Sequence, residues 1–188
     1  MTGVALTFDD GPDPVWTPRV LDALGRADAR ATFFVLSSRA ACHPAIVQRM
    51  LDEGHEVGLH GNLHLRHDTH PEVTVVTDTE EALALLEPHR PRLWRPPHGV
   101  VVDVTRRLAA QHGLELVGWT ADTVDWQEGQ SQEAMLERLG PQLSAGAIVL
   151  MHDAVGPGAT RTTAAPTARL VEPLVGAIRA RGLEPAGL

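Results

Sequence analysis

Two adjacent carboxylates, Asp9 and Asp10, follow the apolar run Val4–Phe8 and precede Gly11 and Pro12. Neighbouring side chains of an extended strand point to opposite sides, so two carboxylates at a strand end cannot both face the same way. One of them can therefore bind a metal ion while the other accepts a proton. The same residues also suit a solvated turn, because Asp-Gly-Pro is common turn sequence.

Histidines are concentrated in one short segment, since five of the ten lie between residues 55 and 70. His60 and His64 have the i, i+4 spacing that puts two imidazoles on one side of a helical turn, and imidazole is the commonest metal ligand. With one carboxylate they would form a site that keeps positions open for water and substrate. His64/His67 and His67/His70 offer other pairs, but the end of a predicted strand favours His60/His64.

Further polar residues stand where other predicted strands end. His152 follows an apolar run and has no metal-ligand spacing to a neighbour, which suits either a general acid or a histidine bonded to a carbonyl at the core edge. Asp122 or Asp125 could orient this histidine and raise its pKa. Arg95 precedes two prolines that stiffen its loop, and its guanidinium can pair with a buried carboxylate.

Apolar runs typical of buried strands alternate with helical patterns along the whole chain. Such alternation favours an α/β fold with a parallel sheet buried on both faces, either a closed barrel or an open doubly wound sheet. No Gly-rich dinucleotide motif or P-loop is present, so nucleotide binding is not predicted. We predict seven strands: Val4–Phe8, Ala31–Leu36, Glu56–Leu59, Arg92–Arg95, Leu114–Trp119, Ala147–Met151 and a short Leu183–Ala186.

Helix ends are also recognisable. Thr17 is predicted to cap the first helix, with Pro18 at its first position, and Thr77 with Glu80 forms a possible capping box. The segment Ala154–Pro166 is rich in Gly, Ala, Thr and Pro, and is either a mobile flap over a site or a solvated connection. The other predicted helices are Pro44–Glu53, Asp103–Gly113, Ser131–Gly140 and Thr167–Arg181.

The candidate residues share one position relative to the predicted strands. In parallel α/β folds the carboxyl ends of the strands form one face, where active sites lie. Polar residues scattered over a surface would not all fall at the ends of predicted strands. Six distant segments are therefore expected to meet in one cleft, contributing Asp9 and Asp10, His60 and His64, Arg95, Asp122 and Asp125, and His152.

Composition limits the partners. The chain has 188 residues and a net charge of −8, which fits one domain and argues against nucleic acid or an anionic membrane as the main partner. All 16 basic residues are arginine and tyrosine is absent, so neither a Schiff-base lysine nor a tyrosine acid is available. Without a leader or a long apolar run, we expect a cytoplasmic protein as the sequence stands, or a secreted one if a leader has been removed.

Taken in order, these segments resemble the motifs of polysaccharide deacetylases, the NodB homology domain of carbohydrate esterase family 4. The resemblance runs from about Val4 to His152, and the domain would cover residues 1–188. Two positions depart from the family pattern, with Gly61 in place of Ser or Thr and His98 in place of Tyr. The five matching segments are Thr7–Pro12, His60–His64, Arg95–Gly99, Asp122–Trp126 and Leu150–His152.

The resemblance implies a distorted (β/α)7 TIM-like barrel that removes N-acetyl groups hydrolytically with a divalent metal, usually Zn²⁺, with Co²⁺ also possible. Asp10, His60 and His64 would hold the metal. Asp9 would be the general base for the attacking water, and His152 would protonate the leaving amine.

The resemblance extends to residues around this set. His98 would stabilise the oxyanion through its backbone N–H, while Trp126 and Leu150 would line a small pocket for the acetyl methyl. The departures leave the proposed ligands intact and therefore bear on the substrate. Three residues would tune the acid–base pair, namely Arg95, Asp122 and Asp125.

The expected substrate is an N-acetylated carbohydrate, either a chitin or peptidoglycan oligosaccharide or a small amino-sugar intermediate. Three other hypotheses share parts of the pattern. A hydrolase of cyclic amides or ureides could use the same barrel, and non-haem Fe(II) oxygenases also use two histidines and one carboxylate. A catalytically silent binding module could keep the fold, although the complete ligand set and the spare Asp9/His152 pair favour hydrolysis.

Overall fold

The computed structural model describes residues 3–188. Its strands are β1 (Gly3–Asp9), β2 (Thr32–Val35), β3 (Glu56–Leu59), β4 (Leu93–Trp94), β5 (Glu115–Leu116), β6 (Ala121–Asp122), β7 (Ile148–His152) and β8 (Glu184–Ala186). Its helices are α1 (Trp16–Arg26), α2 (Ser37–Cys42), α3 (Pro44–Asp52), α4 (Glu72–Leu86), α5 (Asp103–His112), α6 (Gln132–Leu139) and α7 (Ala165–Arg179).

The strands form one parallel, curled sheet in the order β5-β4-β3-β2-β1-β7-β6, and β8 pairs with the start of β1. β5 and β6 lie at opposite ends of this order although they are consecutive in sequence. Over the described residues the sheet is therefore a distorted (β/α)7 barrel in which β5 and β6 are not paired. The fold class expected from the resemblance is confirmed.

The core surrounds the central strand β1. Val4, Leu6 and Phe8 are fully buried and belong to one apolar cluster that also includes Leu24 of α1 and Leu170 of α7. Burying each large apolar side chain contributes about 1.5–3 kcal/mol, so the sheet is stabilised by helices packed on its outer face. This packing explains the nearly continuous apolar sequence of the strands.

Strand register brings the carboxyl ends together. Asp9 pairs with His152 across β1 and β7, and Leu59 pairs with Trp94 across β3 and β4. The segments that follow these strands consequently open onto one end of the barrel, as the sequence predicts.

The predicted strand Leu114–Trp119 is wrong in extent. Only Glu115–Leu116 pairs with β4, whereas Ala121–Asp122 forms a strand of its own beside β7. Between them, the carbonyls of Val117 and Gly118 accept hydrogen bonds from Arg95. The Arg95 side chain thus satisfies these two carbonyls, while the Val117 N–H donates to the Trp94 carbonyl at 2.9 Å.

The predicted cap of the first helix is also wrong. α1 begins at Trp16, and the carboxylate of Asp13 accepts from the N–H groups of Val15 and Trp16 at 2.8 and 2.7 Å. Asp13, and not Thr17, therefore caps the first helix. The Thr17 hydroxyl instead donates to the buried carboxyl of Asp153.

Of two further predictions about where helices begin, one is wrong and one is confirmed. The capping box of Thr77 and Glu80 is wrong, because α4 begins five residues before Thr77, at Glu72, and both residues lie inside the helix. The cap at Ser131 is confirmed, since its hydroxyl accepts from Ala134 N at 3.2 Å. Within residues 3–188, no helix combines the length and apolar character needed to cross a bilayer.

Candidate active site

Asp9 and Asp10 are both buried at the end of β1, and both carboxylates approach the same imidazole. The Nε2 atom of His60 lies 3.8 Å from Asp9 Oδ2 and 3.5 Å from Asp10 Oδ1. The expectation that the two carboxylates face opposite ways fails because Asp10 leaves the extended conformation, with φ at 75°. This left-handed turn directs both groups into one site.

His64 completes a three-residue cluster with Asp10 and His60. Its Nε2 atom lies 3.3 Å from Asp10 Oδ1, and one ligand atom from each residue lies within 4.8 Å of the others. The predicted His60/His64 pair is therefore formed. His67 lies elsewhere, bonded through Nδ1 to the Thr105 hydroxyl at 2.8 Å.

The two histidines do not lie on a helical turn, as their spacing suggested. Residues 60–64 form an irregular loop, with φ at 95° for Gly61 and 59° for His64. The loop is held by Asp78 of α4, which accepts from the N–H groups of Asn62 and Leu63 at 3.1 and 2.9 Å. Gly61 suits this backbone because glycine adopts positive φ at no steric cost.

The cluster fits a divalent cation. His60 Nδ1 lies 2.7 Å from the Arg95 carbonyl, which can only accept, so Nδ1 carries the proton and Nε2 presents a lone pair. Asp10 Oδ1 is buried without a hydrogen-bond partner. Burial lowers the pKa of His64 to about 4, so this imidazole is neutral near neutral pH, the form that can bind a cation. One carboxylate and two imidazoles with open positions suit catalytic zinc.

Arg95 fixes one side of Asp9. The guanidinium is wholly buried, and its Nη1 donates to Asp9 Oδ1 and to the Thr7 hydroxyl, each at 2.8 Å. The Arg95 Cζ atom also lies 4.3 Å from the centre of the Phe34 ring. Because Oδ1 is engaged in this way, Oδ2 is the Asp9 oxygen that faces the histidines.

Asp125, and not Asp122, contacts His152. Asp125 Oδ1 accepts from His152 Nδ1 at 2.7 Å, while the Asp122 carboxylate accepts from the backbone of Val124 at 2.7 Å. Burial would lower the pKa of His152, but the charge and hydrogen bond of Asp125 outweigh it and raise the pKa to about 9. His152 is therefore protonated at neutral pH, the form that an acid needs.

A cavity of about 320 Å³ opens over these groups at the carboxyl end of the barrel. His98, which has φ at 58°, lies on its wall together with Trp126 and Leu150, the three residues that the resemblance assigns to the substrate. The sequence did not indicate two further wall residues, Arg66 and Trp119, and the wall also includes Gly99 and the stretch 157–159.

The stretch 157–159 belongs to the segment that sequence could assign either to a flap or to a solvated connection. Its backbone is tied down, since Thr160 N donates to the Trp126 carbonyl at 3.0 Å and Arg39 donates to Asp10 O and to Val155 O, each at 3.0 Å. A Cβ atom at Gly156 would overlap the Asp10 carboxylate. Residues 157–159 of this segment form part of the cavity wall.

Asp153 and Arg161 also adjoin the site and were not predicted. Burial raises the pKa of Asp153 to about 7, and the charges of Asp10 and Asp9 add to the effect. The Arg161 guanidinium contacts Asp125 at 3.0 Å. Arg161 stands in a compositionally biased stretch where no spacing links it to Asp125, so only the folded chain reveals the contact.

Residues 2–117 match the family model for polysaccharide deacetylases. The chain belongs to the polysaccharide deacetylase family. This match covers the segments that carry Asp9, Asp10, His60, His64 and Arg95.

Named relatives of this polysaccharide deacetylase family member act on two kinds of glycan. A peptidoglycan-N-acetylglucosamine deacetylase of Bacillus cereus is 35% identical over 162 residues, which are 81% of this chain. The chain spans only 56% of the length of that relative. A chitooligosaccharide deacetylase of a Bradyrhizobium species is 34% identical over 196 residues, covering 96% of this chain and 86% of the relative.

A solved structure has the same fold over nearly the whole chain. The family 4 carbohydrate esterase from Streptomyces lividans, in complex with acetate, superposes with a TM-score of 0.87 at 28% sequence identity. The superposition covers 99% of this chain and 92% of that one. The polysaccharide deacetylase fold therefore includes β7, α7 and β8, which lie beyond the residues matched by the family model.

Proposed function

We propose that this chain is a metal-dependent N-deacetylase that hydrolyses the N-acetyl group of an amino sugar, with residues 1–188 as its catalytic domain. The observation that carries the proposal is the joint placement of Asp10, His60 and His64 beside Asp9 and His152 at one cavity. The peptidoglycan and chitooligosaccharide deacetylases among its relatives support an oligosaccharide as substrate.

Asp10, His60 and His64 hold the metal, for which Zn²⁺ is the first candidate and Co²⁺ the second. When bound, such an ion polarises the amide carbonyl and lowers the pKa of water. Burial would raise the pKa of Asp10, but the neighbouring imidazoles of His60 and His152 outweigh it, so its pKa lies well below the usual range. Asp10 is consequently ionised at neutral pH and ready to bind a cation.

Asp9 accepts the proton from the attacking water. Arg95 holds Asp9 Oδ1 at 2.8 Å and keeps the carboxylate from rotating, so that Oδ2 is presented to the site. Register places Asp9 opposite His152, and paired strands lie about 4.8 Å apart. Asp9 as proton acceptor and His152 as proton donor therefore lie at paired positions of two neighbouring strands.

His152 donates the second proton. Water adds to the acetyl carbon, the C–N bond breaks, and the nitrogen takes a proton from His152 as it leaves, giving a free amine and acetate. Asp125 and Asp122 contribute to this step indirectly. Asp125 orients His152, and Asp122 shapes the turn at Val124. General acid–base help of this kind is typically worth about 10²–10⁴-fold in rate.

The cavity wall provides the remaining contacts. The backbone N–H of His98 donates to the carbonyl oxygen as it becomes negative, an interaction worth about 3–4 kcal/mol where it has been measured in other enzymes. Trp126 and Leu150 line the space for the acetyl methyl group. A cavity of about 320 Å³ suits one sugar ring with its acetyl group, at the small end of ligand pockets.

Acetate release tests the proposal. Metal-free protein is loaded with Zn²⁺ or Co²⁺ and incubated with chito-oligosaccharides, peptidoglycan fragments and N-acetylglucosamine derivatives. We expect acetate release that depends on the metal and stops on chelation. No release from any substrate by metal-loaded protein, ring opening of a cyclic amide that survives chelation, or oxygen consumption dependent on Fe(II) would each contradict it.

A further inference from the structure

We propose that Arg161 is a positioning residue for the proton donor, holding Asp125 and the backbone of His152 in the geometry that the reaction needs. The inference rests on the proposed role of His152 as general acid. Arg161 lies outside all five motifs and is itself nearly buried, with its side chain 5% exposed.

Arg161 reaches both members of the Asp125–His152 pair. Its Nη1 donates to Asp125 Oδ2 at 3.0 Å and to the Thr167 hydroxyl at 2.6 Å. Its Nη2 donates to the carbonyls of His152 and Ala154 at 2.9 and 2.8 Å. One planar group thus connects the carboxylate that orients the imidazole to the main chain that carries it.

The two carboxylate oxygens of Asp125 accept hydrogen bonds from different groups. Oδ2 accepts from Arg161, from the Thr167 hydroxyl at 2.5 Å and from the backbone N–H of His152 at 2.9 Å. Oδ1 accepts from His152 Nδ1. Three donors on Oδ2 fix the plane of the carboxylate, and Oδ1 is then aimed at the imidazole.

The same guanidinium fixes the chain immediately after β7. Because it bonds the carbonyls of both His152 and Ala154, the backbone cannot turn at these residues without breaking a charge-assisted hydrogen bond. The direction of the His152 side chain is therefore set from its backbone as well as from Asp125. Thr167 adds a link to α7, so the arrangement rests on a helix rather than on a loop.

Arg179 provides a matched control for a purely structural role. It also joins separate segments by donating to two carbonyls, those of Ala27 and Asp28, at 2.8 and 2.9 Å. The hydrogen-bond and ion-pair partners of the Arg179 side chain are Ala27, Asp28 and Glu184, none of which lines the cavity. Loss of its contacts is expected to affect stability and leave turnover unchanged.

The test compares Arg161→Met, Arg161→Lys and Arg179→Met with the wild type, all loaded with Zn²⁺. We measure kcat and KM on a chito-oligosaccharide, Zn²⁺ affinity, and the low-field NMR signal of the His152 Nδ1 proton, assigned by its loss in His152→Gln. For Arg161→Met we expect kcat about 10²-fold lower, because small misplacement of a catalytic group costs that much. KM should stay within about twofold, since substrate binding is untouched.

Arg161→Lys is expected to lie between wild type and Arg161→Met, because an ammonium keeps the charge but cannot span the carboxylate and both carbonyls. This milder variant decides the question if Arg161→Met does not fold. Wild-type kcat and an unchanged His152 signal in the folded Arg161 variants would overturn the proposal. So would a fall in kcat matched by Arg179→Met, or one accompanied by an equal fall in Zn²⁺ affinity.

The NMR signal separates this inference from the proposed function. If the wild type releases no acetate, the deacetylase proposal fails, but the signal still reports whether Arg161 orders the His152–Asp125 hydrogen bond. A signal that weakens or exchanges faster in Arg161→Met and persists in Arg179→Met would support positioning by Arg161.

Discussion

Arg95 donates to Asp9 at 2.8 Å in an ion pair from which water is almost excluded, because the guanidinium is fully buried and the carboxyl side chain is 4% exposed. Desolvating both charges is costly, and the pair persists because Thr7 and the Gly118 carbonyl satisfy further guanidinium donors. The ion pair therefore contributes more to holding Asp9 in position than to the free energy of unfolding.

Removing the cation should destabilise the fold. Arg95→Met leaves Asp9 buried without a partner, and breaking such a pair costs about 3–5 kcal/mol. Urea unfolding at pH 7 measures the loss. Arg26→Met is the control, since Arg26 pairs with Glu172 while both side chains are about half exposed, and a surface pair of this kind contributes about 0–1 kcal/mol. Equal losses in the two variants would contradict the account of the buried pair.

Neutralising Asp9 should stop turnover without releasing the metal. Asp9→Asn still accepts the hydrogen bond from Arg95 but cannot take a proton, so kcat should fall about 10²–10⁴-fold. Zn²⁺ affinity, measured by titration calorimetry, should stay nearly unchanged because Asp10, His60 and His64 remain. Asp22→Asn, at an exposed carboxylate paired with Arg49, serves as control. A fully active Asp9→Asn would show that another group is the base.

The pH profile should depend on Asp125. A general acid must be protonated, so wild-type kcat/KM should fall as pH rises through the pKa of His152, at about 9. Asp125→Asn removes the largest of the charges that raise the pKa of His152 while burial still lowers it, so the falling limb should move to lower pH; the charges of Asp10 and Asp9 remain and limit the shift. At pH 8 the protonated fraction of His152, and with it kcat/KM, should therefore be lower in Asp125→Asn than in the wild type.

Asp122→Asn is the matched control for that profile. The Asp122 carboxylate bonds to the backbone of Val124 and not to His152, so its alkaline limb should stay near that of the wild type. If Asp125→Asn and Asp122→Asn shift the limb equally, or neither does, His152 is not the group that titrates.

A methyl group at Gly156 should damage the proposed metal site. Its Cβ would overlap the Asp10 carboxylate, so either the ligand or the loop must move. We expect Gly156→Ala to lower Zn²⁺ affinity by about tenfold or more, the scale seen when groups that orient metal ligands are altered. Gly176→Ala in α7 meets open space and should raise helix stability by about 1 kcal/mol. Unchanged affinity in Gly156→Ala would show that the loop yields freely.

Much of the barrel follows from sequence because its strands are apolar on both faces and its helices end at recognisable residues. Ser131 and Gly113 mark their helix ends as predicted, the latter with φ at 66°. β6 was not predicted, because Leu114–Trp119 was interpreted as a single strand and Ala121–Asp122 follows it after only one residue. Its neighbours Val117 and Gly118 bond to Arg95, a contact that no local pattern encodes.

The sequence predicted which residues form the candidate site better than it predicted the backbone conformation that carries them. Strand ends identified His60, His64 and His152, whereas the helical spacing invoked for His60 and His64 is replaced by an irregular loop held by Asp78. Arg161 escaped prediction because its significance lies in a contact 36 residues away along the chain. Such contacts depend on how helices and loops pack, which single-sequence patterns do not record.

Asp10, His64 and His98 all have positive φ, at 75°, 59° and 58°. An L-residue in this region costs about 1–2 kcal/mol relative to ordinary backbone, and glycine would remove most of that cost. A screen of this protein for heat resistance alone should therefore enrich glycine at these three positions and, with it, molecules that lack the Asp10 or His64 side chain proposed to hold the metal. Any campaign to make the enzyme more robust has to select for turnover in the same round.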